Sequence, residues 1–268
     1  MATAIDPRLI AALHPQTVRH GALGDERAAP HVVFQTSTLQ ALLDGAYDGD
    51  LTIGELRAHG DLGLGTFQAL DGEMVVLDGE VWRARVDGSI VAVPDGELTP
   101  FAVVTPFAPE VTVAVERELG HDELLAFVNA HEPSPDVALA IRFDGRLAAV
   151  HARSVAPQRR PYRPLMEIAA ELHDFMLPAT DGALVGFRFP QGAEGVELPG
   201  FHLHAITDDR ARGGHVLSAA VGPGVLRIET LTTLHMELPP GVELPAPPLD
   251  AAAARARAAA LARLERDA

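Results

Sequence analysis

The stretch FHLHAITDDRARGGH, Phe201 to His215, constrains this chain more than any other. Side chains alternate across a strand with a period of two, so His202 and His204, in an apolar and partly β-branched run, leave the backbone on one face. A polar turn from Asp208 to Gly214 follows, and HVLSAAV opens a second extended run headed by His215. If the two runs pair as a hairpin with His215 opposite Ile206 or His204, the third imidazole joins the other two. A slip of one residue sends it to the opposite face.

Three convergent imidazoles supply what a catalytic metal site needs: neutral nitrogen ligands, with positions left open for water or substrate. With 12 histidines in 268 residues, a chance H-x-H pair is expected in roughly one such chain in two. The third histidine across the Gly-Gly turn is what marks this set.

Composition narrows the chemistry further. There is no cysteine, which excludes disulfides, thiolate nucleophiles and Cys-type zinc sites, so any metal is held by His and carboxylate. All 21 basic residues are arginine. Without lysine there is no Schiff base to pyridoxal phosphate or to a carbonyl substrate, and no P-loop. A net charge of −16 argues against nucleic acid as a partner. The first residues, MATAIDPRLIAALHP, lack a secretory pattern and no run of 18 apolar residues occurs, which predicts a soluble, cytoplasmic protein without a membrane partner.

Read in order, residues 1–30 are without period and predict a mobile arm. HVVFQT (31–36) reads as a strand, and STLQALLDG as a short helix with Ser37 as N-cap and Gly45 closing it. TIGELRAHG carries the capping-box spacing at Thr52 and Glu55. In GDLGLGTFQALDGEM three glycines within six residues let backbone approach something closely, and Glu73 begins the next strand. Asp-Gly pairs at 71–72, 78–79, 87–88 and 95–96 punctuate alternating text and predict an antiparallel meander. HDELLAFVNAHE is a helix ended by Pro133, and DVALAIRFDGRLAAVHARSV a hairpin around Asp144-Gly145 on which His151 and Arg153 share a face. An arginine there is ordinarily a solvated surface residue. MEIAAELHDFM reads as a helix, ALVGFRFP as a strand and VLRIETLTTLHMELP as one or two strands. The alanine- and arginine-rich end predicts a helix docked by Leu261 and Leu264. Expected divisions are an arm (1–30), an N-terminal subdomain (31–165), a β-rich subdomain with the histidine hairpin (166–240) and a tail (241–268).

YDGDLTIGEL, GDLGLGTFQALDGEM, the HARSV strand and FHLHAITDDRARGGHVL, in this order and at these intervals, together resemble the α-acetolactate decarboxylase family from about Phe34 to Leu238. The resemblance implies an α+β fold of two mixed or antiparallel β-sheet subdomains with flanking helices, the metal site on a C-terminal β-hairpin, and a homodimer. It implies zinc-dependent decarboxylation of 2-acetolactate, a 2-hydroxy-3-keto acid, to acetoin and carbon dioxide through a metal-stabilised enediolate. It places His202, His204 and His215 as zinc ligands, Glu73 on or near the metal and Arg153 and Thr66 in the catalytic site. The family also uses a glutamate near its C-terminus. The alanine-rich end here departs from the family's text, and Glu265 is the only glutamate within it.

Two other readings stay open. His202, His204 and Asp208 imitate the two-histidine, one-carboxylate set of a non-haem iron or cupin-like oxygenase, although no glutamate follows the pair at the expected interval. A metal- or ligand-binding relative without catalysis shares the scaffold.

Overall fold

A computed structural model describes residues 13–19, 29–132 and 134–243. Pro133 as a helix stop, the docked helix of the tail and Glu265 lie outside the described residues.

The strands are β1 (His14–Arg19), β2 (Val32–Thr36), β3 (Leu51–Thr52), β4 (Leu62–Thr66), β5 (Glu73–Leu77), β6 (Glu80–Ala84), β7 (Ile90–Ala92), β8 (Leu98–Thr99), β9 (Ala102–Thr105), β10 (Val111–Val115), β11 (Ala138–Ser154), β12 (His173–Leu177), β13 (Thr180–Phe189), β14 (Gly200–Thr207), β15 (Gly213–Leu231) and β16 (Thr233–Leu238). Among the described residues three α-helices accompany them: α1 (Leu39–Leu43), α2 (Ile53–Leu56) and α3 (His121–His131).

The first sheet has the order β1-β16-β2-β9-β4-β5-β6-β7. It is mixed, since β1–β16 and β16–β2 are parallel and the other pairs antiparallel. The second, β10-β15-β14-β13-β11-β12, is antiparallel throughout. There β15 also pairs with β11, so β15, β14, β13 and β11 close a ring of pairings. Residues before 165 supply strands to both sheets, and β16 returns to the first. The expected division at residue 165 therefore does not separate the sheets.

Alternation along β14 sorts its side chains between two cores. Leu203 and Ala205 pack with Leu124 and Val128 of α3. Ile206 turns the other way, into the core between the sheets with Leu64, Val75 and Val185. That inner face is the one His202 and His204 share, by the same period of two.

Local chemistry explains most short elements. The Thr52–Glu55 capping box starts α2, with both reciprocal bonds in place. For α1 the cap is Thr38, which accepts from the Ala41 N–H at 3.1 Å, one residue beyond the expected Ser37. Ser37 instead adopts a left-handed φ of 67°. The β4–β7 meander forms as expected, but of the four Asp-Gly pairs 78–79 has both residues at positive φ, the two-residue hairpin signature. The glycine-rich stretch folds its backbone against a neighbouring strand: a Cβ on Gly63 would lie 2.1 Å from the Val103 carbonyl oxygen.

Four further expectations fail, each because tertiary pairing overrides a local signal. The arm over 1–30 is in part a strand, β1, paired with β16. Asp144-Gly145 is no hairpin: β11 runs straight through it, with Asp144 laddered to Ala183 on one side and Val225 on the other. Its carboxylate is held by Arg142 and Arg227, which fixes the extended form. MEIAAELHDFM makes two 3-10 turns, Leu165–Glu167 and Ala169–Glu171, before His173–Leu177 leaves as β12 along the free side of β11. Eleven residues are too few to hold a helix against that competing ladder. Finally, HVLSAAV and VLRIET are one 19-residue strand, β15.

Candidate metal centre

In the hairpin formed by β14 and β15, His204 stands directly opposite His215, one of the two registers that bring the third imidazole round. The three rings gather as a triangle, with centroids 5.2 Å (His202–His204), 5.0 Å (His202–His215) and 5.2 Å (His204–His215) apart. One ligand-type nitrogen from each lies within 4.8 Å of the others, so the set could hold a metal ion. Two nitrogens bound tetrahedrally to one ion at 2.0–2.1 Å stand about 3.3 Å apart. His204 Nε2 and His215 Nδ1 are separated by 3.3 Å.

The environment keeps two of the rings, His204 and His215, neutral. His204 and His215 are 1% and 4% exposed, and burial is the main cause that holds both well below the usual imidazole range. The Arg153 charge pushes in the same direction. A neutral imidazole keeps the lone pair that a metal takes. His204 Nδ1 sits 2.7 Å from the Met74 carbonyl oxygen, an arrangement in which Nδ1–H donates and Nε2 faces inward. Backbone carbonyls commonly orient metal-binding histidines in this way.

That bond also joins the sheets, since Met74 lies on β5 and His204 on β14. Glu73 precedes Met74 and points its carboxylate at the cluster, 3.6 Å from His204 Nε2. It pairs in register with Thr66 on β4. The Thr66 hydroxyl donates to the Gly72 carbonyl at 2.7 Å, so toward a ligand its oxygen acts as an acceptor. Arg153 lies opposite His215 in the β11–β15 ladder, with Nη2 3.5 Å from His215 Nε2. At 7% exposure it is not the solvated arginine that its strand position suggested. His151, two residues earlier, remains 38% exposed beside Asp174.

Thr66, Glu73, Arg153, His202 and His215 all line one cleft that opens to solvent. Asp208, with a side chain 68% exposed, sits in the turn and outside the histidine group. An apolar wall faces the polar floor, and it includes Leu39, Leu70, Phe101, Leu165 and Leu172. Sequence reasoning missed this wall, because leucines at helical spacing read as ordinary core. Only in the stretch around Gly65 to Glu73, where both Thr66 and Leu70 fall, was a signal present.

The family model for alpha-acetolactate decarboxylase matches residues 33–247. The alpha-acetolactate decarboxylase of Methylococcus capsulatus is 43% identical over 209 residues, which cover 78% of this chain and 80% of that protein. The Bacillus subtilis strain 168 protein of the same description is 36% identical over 207 residues, covering 77% and 81%. The crystal structure of alpha-acetolactate decarboxylase from Bacillus subtilis strain 168 superposes with a TM-score of 0.81 at 32% identity, over 88% of this chain and 100% of that one. A Staphylococcus aureus structure, described as a protein of unknown function similar to alpha-acetolactate decarboxylase, gives 0.75 at 32% identity over 77% and 89%. With a family model spanning most of its length and relatives that share the fold as well as the sequence, the chain belongs to the alpha-acetolactate decarboxylase family, a family of carboxy-lyases.

Proposed function

We propose that this chain decarboxylates 2-acetolactate to acetoin with zinc held by His202, His204 and His215 on the β14–β15 hairpin. The observation that carries the reading is the triangle of three imidazoles, two of them buried, beside a buried arginine and a carboxylate in one cleft. The donor set fits the ion: three nitrogens without thiolate, spaced for a common centre, with an open side toward the cleft. Bound there, a dication would supply a Lewis acid that lowers the cost of the negative charge developing as carbon dioxide leaves.

The protein's own residues position the rest. The Arg153 fork holds the substrate carboxylate and turns the C–C bond to be broken out of the carbonyl plane, so that its electron pair passes into the carbonyl as carbon dioxide leaves. Binding the carboxylate too tightly would stabilise the starting acid, and Arg153 therefore acts through orientation more than through affinity. The resulting enediolate takes one proton on carbon to become acetoin. Glu73, in its protonated form, delivers it; its position in the cleft, 3.6 Å from His204 Nε2, supports this reading. Thr66 accepts a hydrogen bond from the substrate hydroxyl or from water, because its own proton is committed to Gly72.

The test is direct. Purified protein incubated anaerobically with racemic acetolactate should yield acetoin and carbon dioxide, carry about one zinc per chain, and lose activity with chelator. A fully active, metal-free preparation overturns the metal assignment. A requirement for oxygen would favour the oxygenase alternative, and absence of acetoin from zinc-loaded protein the non-catalytic one.

By the same family reading the protein is a cytoplasmic homodimer, which light scattering on the purified chain checks for assembly. Among the described residues no helix is long and apolar enough to cross a membrane.

A further inference from the structure

Between β4 and β5 the backbone does something costly. Ala69 and Leu70, neither of them glycine, lie consecutively at left-handed φ values of 61° and 57°. Such residues are uncommon, and the strain persists only where the surroundings over-determine it.

Here they do. Gln68 is clamped from both ends, its amide N–H donating to Asp48 at 2.6 Å and its carbonyl accepting from the Gly49 N–H at 2.7 Å. The Ala69 N–H donates to the Tyr47 carbonyl at 2.8 Å, and the Ala69 carbonyl accepts from the Gln158 N–H at 2.7 Å. Asp48 in turn holds Arg160 and Tyr162 of the connector that follows β11. Two separate parts of the chain, residues 47–49 and the connector 158–162, thus hold this strained turn in place. The visible product is the placement of one side chain: Leu70, 4% exposed, projects into the cleft that Thr66, Glu73, Arg153 and His215 also line.

We propose that Leu70 is a specificity-determining residue, the fixed wall against which the alkyl group on the carbinol carbon of a 2-hydroxy-3-keto acid is measured. This rests on the functional reading above and adds a size limit to it. The polar floor engages the carboxylate, hydroxyl and ketone common to every member of the substrate class and cannot tell a methyl from an ethyl substituent. Discrimination falls to the apolar side. Leu70 is the wall residue held at left-handed φ directly after Ala69, whose N–H and carbonyl are both tied to other segments, so its side chain resists yielding to a larger group.

The experiment compares kcat/KM for the 2-methyl acid and its 2-ethyl homologue in the parent, Leu70→Ala and Leu70→Phe. One methylene in an apolar pocket discriminates by about 10–200-fold. The ethyl-to-methyl ratio should rise roughly tenfold in Leu70→Ala and fall by a similar factor in Leu70→Phe. A general structural role lowers both rates and leaves the ratio in place. Ratios within twofold of the parent in the variants that fold overturn the proposal. If Leu70→Ala does not fold, the opposite shift in Leu70→Phe decides.

A parent inactive on both acids means that the functional reading has failed. The wall is then read from the affinities of the zinc-loaded proteins for the reduced, non-reacting 2,3-dihydroxy acids bearing methyl or ethyl. The same change in ratio supports the assignment, and an unchanged ratio overturns it.

Discussion

Replacing Arg153 by Lys asks whether a fork or merely a positive charge is needed at this position. Arg153 is 7% exposed and fixed by the β11 ladder, with one terminal nitrogen 3.5 Å from His215 Nε2. A carboxylate gripped there lies next to the proposed zinc ligands. A guanidinium offers it two parallel charge-assisted hydrogen bonds, each worth about 1.5–3 kcal/mol net. An ammonium keeps the charge but surrenders the planar pair and reaches less far. Loss of one such bond predicts a fall in kcat/KM of roughly 10- to 150-fold at 25 °C. The assay is steady-state acetoin formation, with zinc content and thermal midpoint measured on the same samples to exclude loss of the site. An orienting role places much of the fall in kcat, whereas a rise in KM alone marks simple ground-state binding. Parent-like kcat and KM in a folded, zinc-loaded Arg153→Lys enzyme would refute the assigned role.

Three further outcomes follow from named contacts. Glu73→Gln should retain zinc and lower kcat by about 10²–10⁴-fold, the usual scale for a lost proton donor; near-normal turnover would move that role to another acid. Glu197 is fully buried, with burial as the main cause of a pKa raised to about 8. The folded state therefore holds a proton that the unfolded state has lost above the ordinary carboxylate range, and stability falls as pH rises from about 4.5 toward 8. Glu197→Gln should raise the melting temperature at pH 8 more than at pH 4.5, and an equal effect at both would show that the carboxyl is not held neutral. On Gly186 of β13 a Cβ would lie 2.0 Å from the His202 carbonyl oxygen. Gly186→Ala should force β13 from β14, destabilise by about 1–3 kcal/mol or more and reduce zinc affinity; a parent-like melting curve would count against this tight approach.

The site was more legible in the sequence than the fold. His202 and His204 were bound to share a face because strand alternation is a property of the chain, and a hairpin left two productive registers for His215. Choosing between them required the β14–β15 ladder, which set His204 opposite His215. Arg153 was misread by local logic: only its position between β12 and β15, at the junction of the two sheets, makes it buried. Asp144-Gly145 carried a turn signal as good as that of Asp78-Gly79, yet one lies inside a continuous strand and the other in a hairpin. What differs is the availability of a strand on either side, which a local window does not contain.

By itself the sequence determined the ligand chemistry available here. Without cysteine or lysine, any metal falls to histidine and carboxylate and any cation in the site is an arginine. Tertiary structure decided which of those groups meet: the Met74 carbonyl orients His204 across the gap between sheets, and β5 brings Glu73 beside it. The physical reason is the range of each rule. Side-chain alternation acts over a few residues and can be read directly, whereas the pairing that brings positions 66, 73, 153 and 215 to one cleft joins segments far apart in the chain, through burial and hydrogen bonds that exist only once both sheets have formed.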